Sequence, residues 1–175
     1  MPRVVFFTRR ASTSDAEALS EFARAVFPLG GRPGAAQADL DAYFEEKLTP
    51  DRFREAIADT NVVLFIAEFE QKIAGYGELW HDSPHPQLTE PHPSEVRKLY
   101  VGPNFHGSGV AHALMLEMLA YAAHPVWLGV FSENPRAIRF YERFGFKIIG
   151  TQQFLVGNDP QEDFLMRRDE QKGTA

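Results

Sequence analysis

The sequence has no cysteine and only two tryptophans in 175 residues. Without cysteine there can be no disulfide, no thiolate zinc site and no cysteine acyl-enzyme. No apolar run approaches the ~20 residues that a membrane-spanning helix needs. The stretch Met1–Phe7 holds too short an apolar run for a secretory signal, so a cytoplasmic protein is expected. Positive charge is the scarcer sign: 18 Lys and Arg stand against 24 Asp and Glu, a formal net charge of −6. Such a chain has no general attraction to nucleic acid or to an anionic membrane.

What is present fits an ordinary globular domain, with 44% hydrophobic and 24% charged residues. The length suits one domain with a sizeable core. We expect that domain over residues 1–169, followed by a frayed tail at 170–175. No internal repeat is visible.

Val4–Thr8 reads as a strand, being β-branched and aromatic. Ser14–Phe27 reads as a helix, with Ser14 and Glu17 spaced as a capping box. A second helical region spans Gln37 to Asp59, interrupted near Pro50. Asn61–Glu70 and Lys72–Trp80 form a strand pair hinged at Glu70-Gln71. His81–Ser94 holds four prolines and reads as a long loop. Beyond it come a strand at Glu95–Val101, a helix at Gly107–Ala123, a strand at Val126–Phe131 and a helix at Asn134–Phe144. Phe146–Gly150 and Glu162–Arg168 close the chain as strands. The order β-α-α-β-β-β-α-β-α-β-β predicts an α/β protein with a mixed, mostly antiparallel sheet flanked by helices.

The most informative stretch runs from Glu95 to Leu114. A strand feeds a glycine-rich turn that opens a helix, so unpaired backbone N–H groups converge at the positive end of the helix dipole. That is an anion site suited to a pyrophosphate. Gly102 and Gly107 have the spacing of a P-loop, but Ser108 stands where its lysine belongs. A dinucleotide fingerprint fits poorly, because bulky His112 occupies the third glycine position and the lead from Val101 is long, although Glu133 lies at a ribose-binding distance.

The helix at Asn134–Phe144 has a good N-cap in Asn134, proline at its first position and Gly145 to end it. Ala137, Ile138 and Tyr141 share one face.

These two segments resemble the GNAT superfamily of acetyltransferases. Its first motif is Gln/Arg-x-x-Gly-x-Gly/Ala after a Leu-Tyr-Val strand. Here Asn104-Phe-His-Gly-Ser-Gly follows Leu99-Tyr100-Val101 and precedes Val110-Ala111, with Asn104 in place of Gln or Arg. The second pattern, Asn-x-x-Ala-x-x-Phe-Tyr-x-x-x-Gly-Phe, matches Asn134 to Phe146. The resemblance implies the GNAT fold and acetyl-CoA as acetyl donor, with no metal. It also implies cofactor contacts at Leu99, Tyr100, Val101, Asn104, His106, Gly107, Ser108, Gly109, Val110, Ala111, Asn134 and Ala137.

It further implies that Tyr141 is the general acid for the thiolate. A backbone N–H of Leu99 or Tyr100 would polarise the thioester carbonyl. With no cysteine, direct attack by the amine in a ternary complex is the simplest path. Glu95 is the candidate base, and on strand alternation it shares a face with Arg97, Leu99 and Val101. Glu78 and His81 are alternatives.

Phe154-Leu-Val-Gly-Asn-Asp and Gln161-Glu-Asp-Phe-Leu-Met resemble the PaiA-type spermine/spermidine N-acetyltransferases. They imply a small-molecule primary amine, such as a polyamine, as acceptor. Carboxylates available to a polycation are Asp39, Asp41, Glu45, Glu46, Asp82 and Glu90. A protein N-terminus or lysine is a second acceptor class, and a non-catalytic acyl-CoA sensor is a third reading. His81, His85 and His92 match no defined zinc spacing. Oligomeric state, including a homodimer, stays open.

Overall fold

The computed structural model describes residues 5–170. Seven strands form one sheet: β1 (Phe7–Arg10), β2 (Val62–Phe69), β3 (Lys72–Trp80), β4 (Ser94–Val101), β5 (Val126–Phe131), β6 (Lys147–Val156) and β7 (Asp159–Arg168). The five helices are α1 (Ala16–Val26), α2 (Gln37–Lys47), α3 (Pro50–Ala58), α4 (Val110–Tyr121) and α5 (Pro135–Arg143). The spatial order is β1-β2-β3-β4-β5-β7-β6, antiparallel except for the parallel β4–β5 pair. This is the mixed sheet expected from the element order.

Several boundaries move for identifiable reasons. The first strand begins at Phe7, and Val4 lies outside the described residues, as does the tail at 171–175. Ser14 does not cap the first helix. A 3₁₀ turn at Thr13–Asp15 precedes it, and the Ser12 N–H donates to the Asp15 carboxylate at 2.8 Å. Arg9 grips the same carboxylate at 2.8 Å and holds it down at about 2. The closing strands are longer than expected, because β6 and β7 form one hairpin paired from Lys147–Arg167 to Val156–Asp159, with polar residues such as Thr151, Gln152 and Gln153 inside it.

Helices cover both faces. On one face α4 buries Val110, Leu114, Met115 and Met118 with Val96, Leu128 and Phe146. On the other, α1 buries Ala16, Leu19, Ala23 and Val26, the i, i+3, i+7 stripe of a one-sided helix, near Phe53, Ile66 and Tyr76. Helix α4 lies close on β3, because a Cβ at Gly75 would be 3.0 Å from Val110 and one at Gly77 2.8 Å from Met118. The two glycines thus let α4 settle directly over the sheet at both of its ends.

Strands β4 and β5 pair only at Ser94–Val126 and Glu95–Trp127. Beyond that point β5 follows β7, and β4 stays with β3, so the sheet opens into a V. The β3–β4 register slips between Glu78 and Leu79, which leaves Arg97 as an extra residue in β4. Such a bulge bends its strand and reverses the alternation beyond it.

Candidate active site

The loop from Gly102 to Ala111 is built from backbone. After a 3₁₀ turn at Pro103–Phe105, Gly107 and Gly109 take φ values of 79° and 94°. A Cβ at either would meet nothing within 4 Å, so the left-handed backbone, not crowding, calls for glycine. The Ser108 N–H donates to the Phe105 carbonyl at 3.1 Å, and its hydroxyl donates to the same oxygen at 2.6 Å. Among the described residues, the N–H groups of Gly107, Gly109, Val110 and Ala111 meet no protein acceptor. They stand at the positive end of α4 and form an anion cradle.

A histidine and three arginines face the same space. His106 donates through Nε2 to the Val101 carbonyl at 3.2 Å, which fixes its tautomer and leaves Nδ1 to accept from Arg136 at 2.8 Å. Arg139 and Arg143 line this end as well.

Helix α5 forms the opposite wall. Asn134 caps it, Oδ1 accepting from the Ala137 N–H at 3.1 Å, while Nδ2 donates to the Gly30 carbonyl at 3.2 Å. One amide group therefore starts α5 and ties it to the turn after α1. Tyr141 packs against Phe140 and Phe146, with ring centroids 5.4 and 6.0 Å apart. Its hydroxyl has no hydrogen-bond partner among the described residues. Burial pushes the phenol up to about 12.

Both walls belong to one cleft of about 1220 Å³ that passes through the V of the sheet. Of the residues singled out in the sequence, Glu95, Leu99, Tyr100, Val101, His106, Gly107, Gly109, Ala111, Asn134, Ala137 and Tyr141 line it. Three do not. Asn104 is exposed on the 3₁₀ turn, Val110 is wholly buried under the cradle, and Ser108 is spent on Phe105.

The bulge at Arg97 corrects the expected facing of Glu95. Val96, Leu99 and Val101 pack on the α4 side, whereas Tyr100 packs with Phe27 and Tyr76 on the α1 side. Glu95 pairs in register with Trp80 and looks out on that second side, away from Leu99 and Val101. Its carboxylate accepts from Ser83 Oγ at 2.7 Å and from Arg97 at 2.6 and 3.1 Å. Arg97 is itself stacked over Trp80 at 3.9 Å. Glu78 is 1% exposed and accepts from Trp80 Nε1 at 2.6 Å and Lys98 at 2.9 Å. His81 starts the proline-rich loop and does not line the cleft.

Sequence reasoning missed a third carboxylate, Asp163 on β7. It lines the cleft at 8% exposure and has no hydrogen-bond donor among the described residues. Burial raises it to about 6. It lay inside the Gln161–Met166 stretch that carries the PaiA-type resemblance, but nothing there gave it a role of its own.

The loop histidines take separate partners. His85 donates to Gln152 at 2.9 Å, and His92 meets Asp82 at 2.8 Å. None of Asp39, Asp41, Glu45, Glu46, Asp82 and Glu90 lines the cleft. Glu45 is held by Arg24, Glu46 by Lys47 and Glu90 by Arg167.

The acetyltransferase (GNAT) family model matches residues 33–146. An uncharacterized N-acetyltransferase of Mycobacterium tuberculosis is 36% identical over 160 residues, 89% of this chain and 98% of that one. The N-alpha-acetyltransferase RimI of the same organism is 30% identical over 82 residues, 46% of this chain and 52% of that one. Among solved structures, the PaiA N-acetyltransferase from Thermoplasma acidophilum in complex with coenzyme A superimposes with a TM-score of 0.76 at 21% identity. That superposition covers 95% of this chain and 99% of the other. The chain belongs to the GNAT acetyltransferase family.

Proposed function

We propose that this enzyme transfers the acetyl group of acetyl-CoA to the primary amine of a small molecule, by direct attack in a ternary complex. The observation that carries this reading is the set of open amides at the head of α4, of which Gly107, Gly109 and Ala111 face one cleft with the unbonded Tyr141 hydroxyl. The cradle suits the pyrophosphate of coenzyme A, and the arginines of α5 add charge at the same end. The pantetheine arm then runs into the V between β4 and β5, toward Tyr141.

At the V, the backbone of β4 at Leu99 or Tyr100 supplies an N–H for the thioester oxygen as it turns anionic. The amine nitrogen attacks the carbonyl carbon, and collapse breaks the carbon–sulfur bond. Tyr141 gives its proton to the departing thiolate. A phenol raised by burial is a poor acid toward water, yet it stays protonated across the working pH range and is ready when the thiolate forms.

Polyamines are the acceptors implied by the stretches at Phe154–Asp159 and Gln161–Met166, and the PaiA structure shares the fold. A protein or peptide α-amine is the second reading, favoured by the partial similarity to RimI. A thiol-release assay with acetyl-CoA across spermidine, aminoglycosides and short peptides tests both. We expect release with a small primary amine. Release with peptides alone would select the second reading, and coenzyme A binding without release on any acceptor would make the chain a sensor.

A further inference from the structure

Five carboxylates line the cleft: Glu55, Asp59, Glu78, Glu95 and Asp163. Four of them already have donors. Glu55 accepts from Arg52, Asp59 from the Asn61 N–H, Glu78 from Lys98 and Trp80, and Glu95 from Ser83 and Arg97. Asp163 alone has none among the described residues, although it is more than nine-tenths buried. An ionised carboxylate largely withdrawn from water without a protein donor is costly, so this one is incomplete as it stands.

The surroundings leave room for a partner. Asp163 pairs with Phe131 across the β5–β7 ladder and lies diagonal to Gly129, where a Cβ would sit 3.1 Å from Asp163 Oδ2 and collide with Gln152 Nε2. Gln152 is the cross-strand neighbour of Asp163. Its Oε1 accepts from His85, so its Nε2 is turned toward the same opening. Next to this polar corner stands an aromatic wall. Phe27 stacks on Tyr43 at 4.3 Å, Tyr43 meets Phe154 at 5.8 Å, and Phe27 meets Tyr100 at 6.1 Å. All four rings line the cleft.

Building on the acetyltransferase reading, we propose that Asp163 anchors the acceptor's ammonium group and takes its proton, while Phe27, Tyr43, Tyr100 and Phe154 hold an unbranched apolar stem behind it. The site thus accepts one primary ammonium on an alkyl stem, as in butylamine or the aminobutyl end of spermidine. The steps balance. The ammonium loses one proton to Asp163, which passes it to solvent. The free amine bonds to the thioester carbon, and its second surplus proton returns through Tyr141 to the coenzyme A sulfur.

The charged and titratable groups facing Asp163 are few. Tyr43 on α2 and Tyr100 on β4 are neutral phenols, raised first by burial and also by the negative charge of Asp163. His85 reaches it only through Gln152. Among the described residues no cation is bonded to it, so an entering ammonium would be its first.

The test uses Asp163→Asn and Asp163→Ala, with n-butylamine and spermidine as acceptors. Coenzyme A binding by calorimetry should stay within about twofold of wild type, because the cradle lies on the other side of the sheet. At pH 7.5 kcat/KM should fall about a hundredfold or more for either amine, the size expected for a lost general base. The wild-type profile should rise through a limb near pH 6, which Asp163→Asn should lack. An unchanged kcat/KM, or the same limb in the variant, would overturn the proposal. If the wild type binds coenzyme A but acetylates neither amine, the transferase reading fails separately. Titration of n-butylamine into the coenzyme A complex then decides: saturable binding lost in Asp163→Asn supports the anchor, and no binding to the wild type refutes it.

Discussion

The two faces of the sheet carry their chemistry in different currencies. On the α4–α5 side the working groups are main-chain amides, fixed by two glycines with positive φ and by the start of one helix. On the α1–α3 side the working groups are side chains brought from β3, β4, β6 and β7, and their states depend on what each one meets. Glu78 and Glu95 are neutralised by basic neighbours, whereas Asp163, on β7 beyond the intervening β5, is left bare. A backbone site is specified locally and tolerates variation in side chains. A side-chain site is specified by register across the sheet.

The sharpest way to break this comparison is at Tyr141, where both faces meet. Tyr141→Phe should lower kcat about 10²- to 10⁴-fold, the range for a lost general acid. Acetyl-CoA affinity, measured by calorimetry, should hardly change. Unaltered turnover would remove Tyr141 from proton transfer.

Next in size is the backbone cradle. Gly109→Val forces a β-branched residue to φ 94°. Strain of about 1–3 kcal/mol is expected there. If the loop moves to relieve it, acetyl-CoA should bind roughly tenfold or more weakly, at about 1.4 kcal/mol per tenfold. Retained affinity would mean that the cradle does not depend on this turn.

This contrast also explains what could be read beforehand. The cradle, the helix N-cap at Asn134 and the element order were legible because each is a matter of a few consecutive residues. The facing of Glu95 was not, because the bulge at Arg97 is a property of pairing between β3 and β4 and breaks simple alternation. Asp163, although inside the Gln161–Met166 stretch, was given no role for the same reason. Its sequence neighbours, Glu162 and Phe164, say nothing about Gly129, which it meets through the β5–β7 ladder. Ser108 erred in the other direction. It stands inside the motif, yet its N–H and hydroxyl both turn back onto Phe105.

A stability measurement sharpens the side-chain half. Asp163 ionises near 3.8 when unfolded and at about 6 when folded. Between those values the folded state holds more protons, so stability falls as pH rises through that window and then levels off. The difference corresponds to a penalty on the order of 3 kcal/mol above pH 6. Asp163→Asn should therefore melt higher than wild type at pH 8, and the gap should close toward pH 4. A variant that melts lower at pH 8 would mean that the carboxylate has a partner.

The smallest effect is expected at Ser108. Ser108→Ala should change acetyl-CoA affinity by less than about twofold and cost about 1 kcal/mol of stability, the worth of one hydrogen bond. A large loss of affinity would return its hydroxyl to the cofactor.

The most direct examination of the cradle is an amide proton–nitrogen correlation spectrum recorded while coenzyme A is added. The amides of Gly107, Gly109, Val110 and Ala111 should move downfield together and saturate, with Ser108 moving least among the five. Saturable binding that leaves those four signals in place would contradict a backbone pyrophosphate site at the head of α4.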